Sequence, residues 1–191
     1  MTHQAILVLD FGSQYTQLIA RRLRELSVYS EIVPFTTSAE EIRARSAAGV
    51  ILSGGPASLS TAEAPRCDPA IFNCGVPVLG ICYGMQAMTA ALGGSVGDAP
   101  EREYGHATVR VRERAGLFEG LPDQIRVWAS HGDVVGEAPP GFAVVATSAN
   151  APVAGMANPT RRLYALLFHP EVAHTDHGAR ILENFAAGVC G

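Results

Sequence analysis

Three residues stand where nucleophilic chemistry could be done. Cys82 lies in Gly80-Ile81-Cys82-Tyr83-Gly84-Met85-Gln86, between an apolar run at 76–81 and a helix-like stretch at 85–92. A strand-to-helix turn lifts its central side chain above a sheet, and nearby backbone N–H groups can face a developing negative charge. Flanking glycines allow a tight turn and close approach of a substrate. The motif alone leaves two readings open: an activated nucleophile, or a small buried cysteine closing a core strand. His169-Pro170-Glu171 follows a second apolar run, 163–168. An imidazole can take or hold a thiol proton near neutral pH, and a carboxylate two residues on in an extended segment can hold the other ring nitrogen. Cys82, His169 and Glu171 would then form a triad. For an isolated His-Pro-Glu an ordinary turn is the favoured reading; its place after an apolar strand strengthens the functional reading without deciding it.

These residues need elements to bring them together. Ala5–Leu9 is a continuous apolar run, as expected of a strand covered on both faces. Asp10-Phe11-Gly12-Ser13 reads as a turn, with Ser13 capping a helix whose apolar face is Tyr15, Leu18, Ile19, Leu23 and Leu26. Strands follow at 28–35 and 49–53, the latter ending in Gly54-Gly55-Pro56. Ser38 with Glu41 is a capping box for a helix over 39–47. A polar loop at 58–66 and a short helix at 68–73 precede the Cys82 strand. This alternation predicts a parallel sheet with right-handed crossovers over the first 94 residues. The pattern then changes. Thr108–Arg112 alternates at period two. Further short strands are expected at 125–128, 142–146, 153–157 and 163–168, and a closing helix at 176–189 with Ala179, Ile181, Leu182 and Phe185 available for burial. The expected fold class is α/β: one domain over 1–191, a mostly parallel central sheet with an added antiparallel portion, and ligand chemistry at the carboxyl ends of the parallel strands.

Composition narrows the chemistry. All 14 basic residues are arginine, so lysine Schiff bases and a Walker-type lysine are ruled out. The four cysteines form no Cys-x-x-Cys pair, and His106, His131, His174 and His177 are scattered, so no metal site is expected. A net charge of −4 gives no electrostatic reason to expect nucleic acid or an anionic membrane as a partner. No apolar stretch approaches a membrane span and no signal-like start is present, so a cytoplasmic protein with reduced thiols is expected. Cys67, Cys74 and Cys190 read as packing or incidental thiols. Arg21-Arg22 and Arg161-Arg162 read as solvated, and Asp10 as a turn residue or a ligand neighbour.

Taken in order, Ser53-Gly54-Gly55-Pro56, Gly80-Ile81-Cys82-Tyr83-Gly84-Met85-Gln86 and His169-Pro170-Glu171 resemble the signature of class I glutamine amidotransferases. Leu9–Arg22, Ser130-His131-Gly132-Asp133 and the continuation Val172 to His174-Thr175 are similar to the GMP synthase branch of that family. The resemblance runs almost end to end and stops where the family's glutaminase domain stops. It implies a flavodoxin-like three-layer sandwich. It implies that Cys82 attacks the glutamine carboxamide, that His169 activates the thiol and protonates the departing ammonia, and that Glu171 orients His169. The backbone N–H groups of Gly55 and Tyr83 would form the oxyanion hole. Gln86 would contact glutamine, although a solvated helix position is the plain alternative. Ser130, His131, Gly132 and Asp133 would lie beside the substrate's α-amino and α-carboxylate groups; without the resemblance they read as a polar turn. An unusually reactive Cys82 thiol is expected.

The resemblance also implies a partner, an ATP-pyrophosphatase synthetase domain or subunit that converts XMP to GMP. No cofactor is expected in this domain; ATP, Mg and XMP belong to the synthetase portion, which this chain lacks. Ser53-Gly54-Gly55-Pro56 is similar to the start of a pyrophosphatase Ser-Gly-Gly-x-Asp-Ser loop but has no Asp, and no Walker or Rossmann fingerprint is present. Two positions depart from the pattern: Leu167 where Gln is common, and Val134 where Lys is usual, a lost charge that bears on docking more than on hydrolysis. Two other functions fit the fold: a regulatory subunit whose triad is not assembled, and a glutaminase for another synthase such as anthranilate synthase. The opening stretch and His174-Thr175 disfavour the latter.

Overall fold

The computed structural model describes residues 4–191. Nine strands form one sheet in the order β2-β1-β3-β4-β9-β8-β7-β5-β6: β1 (Ile6–Asp10), β2 (Ser30–Pro34), β3 (Gly49–Leu52), β4 (Val78–Ile81), β5 (Ser95–Val111), β6 (Gln124–Glu137), β7 (Ala143–Thr147), β8 (Gly155–Asn158) and β9 (Leu163–Leu166). The first five in that order run parallel and the rest are joined by antiparallel pairing. The expected parallel core with an antiparallel addition is therefore the observed architecture. The parallel part has the doubly wound order in which β1 and β3 flank the topological switch point, where a crevice opens at the carboxyl ends.

Burial explains the core strands. Ile6–Leu9, Val50–Leu52 and Val78–Leu79 are all buried, as strands covered on both faces must be. Helix α1 (Thr16–Glu25) packs Ile19, Ala20 and Leu23 inward. Helix α2 (Ala39–Ala44) opens on the expected Ser38–Glu41 capping box. Helix α3 (Tyr83–Ala91) packs on β3, β4 and β9, and α4 (Gly178–Glu183) continues into a π-type turn, Asn184–Val189.

Several local expectations change. Ser13 does not cap α1: the helix begins at Thr16, while Ser13 Oγ accepts from the Tyr15 N–H inside the preceding turn. Asp10 is the last residue of β1, and its carboxylate braces the turn that follows by accepting from the Gly12 N–H and the Thr16 hydroxyl. Ile181, Leu182 and Phe185 are buried as expected, whereas Ala179 is exposed and Ala186 is buried, because the inward row runs through 178, 181, 182, 185 and 186. Helix α4 begins after His177 with no side-chain cap, and the Thr175 hydroxyl is spent inside the site. The largest difference is β5–β6. The alternation at 108–112 is the visible end of a 17-residue strand, and Ser130–Asp133 lies within 14-residue β6 rather than in a turn. Cross-strand pairing with β5 overrides the local turn tendency of Ser-His-Gly-Asp. Val134 and Leu167, the two departures from the family pattern, are both buried.

Candidate active site

Cys82 sits between the last residue of β4 and the first of α3, with φ 52° and ψ −108°. A positive φ on a residue with a Cβ costs about 1–3 kcal/mol and persists only where its surroundings impose it. They do so here: the Cys82 N–H donates to the Leu166 carbonyl of β9, and the Cys82 carbonyl accepts from the Gln86 N–H one helical turn on. The flanking glycines serve closeness, since it is Cys82 itself that carries the positive φ. A Cβ on Gly84 would collide with the Leu52 carbonyl, and one on Gly80 would lie 2.7 Å from the Gly84 carbonyl, so the start of α3 is flush with β3 and β4. The thiol is 4% exposed, 3.5 Å from the Ser130 carbonyl that accepts from it. Among the described residues neither the Tyr83 nor the Gly55 N–H donates elsewhere; for Tyr83 this is normal, as its N–H is the first of a helix.

His169 is fixed at every polar atom on its own side of the site. Its N–H donates to the Trp128 carbonyl of β6 at 3.0 Å. Its carbonyl accepts from Thr175 Oγ1 at 2.5 Å, and that hydroxyl also accepts from the Trp128 N–H. Nδ1 lies 2.8 Å from Glu171 Oε1, and the Tyr15 ring meets the imidazole edge-on with centroids 5.1 Å apart. Glu171 is fully buried, and its Oε2 has no hydrogen-bond partner among the described residues. Arg22 reaches from α1 to donate from Nε to the Glu171 carbonyl at 3.1 Å, so it is not merely solvated. Burial disfavours the imidazolium, but the hydrogen bonds and charges of Cys82 and Glu171 outweigh it and push the His169 pKa up to about 10. The ring is therefore cationic at neutral pH.

Gly54 spaces the two groups. A Cβ there would lie 3.0 Å from His169 Cε1 and 3.6 Å from Cys82 Cβ. Gly54→Ala is thus expected to push the imidazole off line. The shift needed is a few tenths of an ångström, short of the displacement of about 1 Å that costs about 10²-fold in rate, so alkylation of Cys82 by iodoacetamide should slow by less than that in a protein that still folds.

Two cavities flank the thiol, of about 340 and 290 Å³, and share Gly55, Pro56, Cys82 and Ser130. The first is bordered by Gly12–Tyr15 and His169. The second is bordered by Ser58, Gln86, Tyr104 and 131–133. Gln86 is buried, not solvated, and donates from Nε2 to the Asp133 carbonyl at 3.1 Å; Ser58 Oγ donates to Asp133 Oδ2 at 2.6 Å. The His131 imidazole is turned onto Glu103 and is 2% exposed, so it supports the cavity wall more than it faces a ligand. The sequence reading singled out Cys82, Tyr83, Gly55, Gln86, Ser130, His131, Gly132, Asp133, His169 and Glu171, and the fold gathers them at one crevice. It missed Tyr15, Ser58, Arg22, Thr175 and Glu103. Only Thr175, a hydroxyl six residues past the histidine, carried a local signal.

Fold and site together define an α/β protein with a cysteine on a nucleophile elbow and a carboxylate-held imidazole beside it. The sequence matches the family described as glutamine amidotransferase class-I over residues 7–189, and the chain belongs to that family. It is 52% identical over 191 residues to a GMP synthase [glutamine-hydrolyzing] of Syntrophomonas wolfei, covering 100% of this chain and 38% of that protein. It is 53% identical over 189 residues to the Bacillus anthracis protein of the same name, covering 99% and 37%. This chain thus spans under two fifths of the length of the curated relatives it matches. A Thermoplasma acidophilum crystal structure, provisionally described as one component of a GMP synthase, superposes with a TM-score of 0.86 at 36% identity, covering 98% of this chain and 94% of that one. A Thermotoga maritima glutamine amidotransferase at 23% identity and a TM-score of 0.72 shares the fold.

Proposed function

We propose that this chain hydrolyses glutamine to glutamate and ammonia and delivers the ammonia to an ATP-pyrophosphatase synthetase, a domain or a separate subunit, that aminates XMP to GMP in the cytoplasm. The observation that carries the reading is the strained, buried Cys82 turn beside the Glu171-held His169. The names and lengths of the relatives support the synthetase partner. Among the described residues no helix is long and apolar enough to cross a membrane. ATP, Mg and XMP act at the synthetase in this proposal, and none of the steps below uses them.

The reaction follows from the ionisation. The thiol proton passes from Cys82 to His169 Nε2 along the hydrogen bond between them, and the sulfur attacks the side-chain amide carbon of glutamine, whose carbonyl oxygen takes up the negative charge. The N–H groups of Tyr83 and Gly55 receive that oxyanion; one such donor is worth about 3–4 kcal/mol in the transition state. His169, cationic below about pH 10, donates its Nε2 proton to the amide nitrogen as the C–N bond breaks, releasing ammonia and leaving a γ-glutamyl thioester. Neutral His169 then takes a proton from water, whose oxygen attacks the thioester; the C–S bond breaks, and glutamate leaves with Cys82 and His169 restored. Gln86, Ser58, Ser130, Gly132 and Asp133 shape the second cavity for the amino-acid end of glutamine, with Asp133 supplying a carboxylate for the α-ammonium.

Glutamate release by the chain alone is expected to be slow. A synthetase loaded with ATP and XMP is expected to raise it by about tenfold or more, a coupling on the order of 1–3 kcal/mol. Equal turnover with and without the loaded partner would remove the coupling. Activation by anthranilate synthase components instead would reassign the pathway.

A further inference from the structure

Glu103 breaks the pattern of β5. Along this strand Val109 and Val111 are buried, and Glu103 shares their inward-facing parity, while Tyr104, His106, Thr108 and Arg110 point outward. A carboxylate at a core-facing position is costly unless it is paired. Here the register shift between Asp98 and Glu103 brings residue 103 opposite His131. Glu103 Oε2 lies 3.3 Å from His131 Nε2, the two side chains being 11% and 2% exposed. Ser148 Oγ donates to both Glu103 oxygens at 3.2 and 3.3 Å. Leu167 and Phe168, the residues just before His169, line the same small void as Glu103, His131 and Ser148.

The strand behind this pair holds both reacting groups. The Trp128 carbonyl takes the His169 N–H, and the Ser130 carbonyl takes the Cys82 thiol. Burial drives the His131 pKa down, against the pull of Glu103. A neutral ring with Nε2 on a carboxylate puts its proton there; Nδ1 makes no hydrogen bond among the described residues, although the Asp133 backbone lies close enough to favour the charged ring. The charged groups facing this ring are Glu103 from β5 and His169 from the segment after β9.

We propose that Glu103 is a positioning residue for the thiol chemistry: clamped by Ser148, it locks the His131 imidazole as the Nε2–H tautomer and so fixes the Trp128–Ser130 segment of β6 against Cys82 and His169. The proposal rests on the glutaminase reading for its meaning, but its geometry can be tested without turnover.

The test uses the 191-residue chain and its Glu103→Leu, Glu103→Gln and Ser148→Ala variants. Ring-nitrogen NMR of the parent near pH 7 is expected to show His131 neutral and protonated at Nε2. Glu103→Gln, which keeps an acceptor, retains that tautomer. Glu103→Leu loses it and slows both alkylation of Cys82 by iodoacetamide and kcat for glutamine by about tenfold, with KM nearly unchanged. Ser148→Ala falls between. The alkylated residue is identified by peptide mass; Cys67 and Cys190 compete poorly because burial pushes their pKa values up to about 11 and about 12. An Nδ1–H or protonated His131 in the parent overturns the proposal even if Glu103→Leu does not fold. A folded Glu103→Leu with parental alkylation and turnover also overturns it. If the alkylation contrast holds while the parent does not turn over glutamine even with the synthetase loaded with ATP and XMP, the glutaminase reading fails and the positioning role stands.

Discussion

Cys82→Ala and Cys82→Gly are expected to be equally inactive, with the glycine variant the more stable. Loss of the sulfur removes the group to which the acyl chain would bond. Removing the nucleophile of a comparable triad costs about 10⁶-fold in kcat, so glutamate release should fall to background. The stability order comes from the backbone. Both substitutions remove the buried thiol, but only glycine releases the positive φ of residue 82. Cys82 is also the N-cap of α3, a position where glycine is already preferred over alanine. Here it should be favoured by about 1 kcal/mol or more, a difference of about 2–4 °C in Tm for a chain of this size. Thermal unfolding and a glutamate assay on the same samples check both halves. An alanine variant as active as the parent would favour the regulatory reading, in which the triad does no chemistry. A glycine variant no more stable than alanine would mean that the turn is relaxed in solution.

Glu171→Gln should be the second large effect, and it should depend on pH. Glu171 is fully buried, and its hydrogen bond and charge help to hold His169 in the cationic form to about pH 10. The amide can accept the Nδ1 proton but brings no charge. Removing a nearby opposite charge lowers an imidazole pKa by about 1–3 units, so the basic limb of kcat should move down by about that much. At neutral pH the rate should fall by about 10²–10⁴-fold, as when a triad carboxylate becomes an amide. The stability consequence has a defined sign. A histidine whose folded pKa is raised stabilises fully below its unfolded value, about 6.5, and that contribution disappears as pH rises to about 10. The gap between parent and Glu171→Gln arising from His169 should therefore be largest below about pH 6.5 and close above about pH 10. Urea unfolding across this range, with NMR titration of His169, measures it. A basic limb that does not move would assign that limb to another group.

The two variants read different layers of the molecule. Cys82 reports a turn whose strain is local, imposed by the Leu166 and Gln86 contacts on one residue. Glu171 reports a charge balance that exists only when β9, β4 and α1 have come together, with Arg22 and Thr175 holding the backbone on either side. This difference matches what could be read in the linear chain. Apolar runs such as Ile6–Leu9 and Val78–Leu79 must be buried on both faces, so the parallel core was legible from composition alone. The Gly-x-Cys-x-Gly turn and His-Pro-Glu were legible because their chemistry and punctuation are local.

The long β5–β6 pair was not legible. Ser130–Asp133 has the composition of a turn and becomes strand only because β5 supplies cross-strand partners. Ser13 was misplaced as a cap because its hydroxyl satisfies the Tyr15 N–H within the turn instead. Glu103 carries no signal in the linear chain, since nothing within its neighbourhood reveals that a register shift places it on the inner face. By itself the sequence determined the fold class and singled out Cys82, His169 and Glu171 as the residues to look for at one crevice, since hydrophobic patterning and strand-end motifs act over a few residues. Only the tertiary structure decided what controls them. The cationic state of His169, the positive φ of Cys82 and the clamp on β6 each arise from contacts between segments distant in sequence.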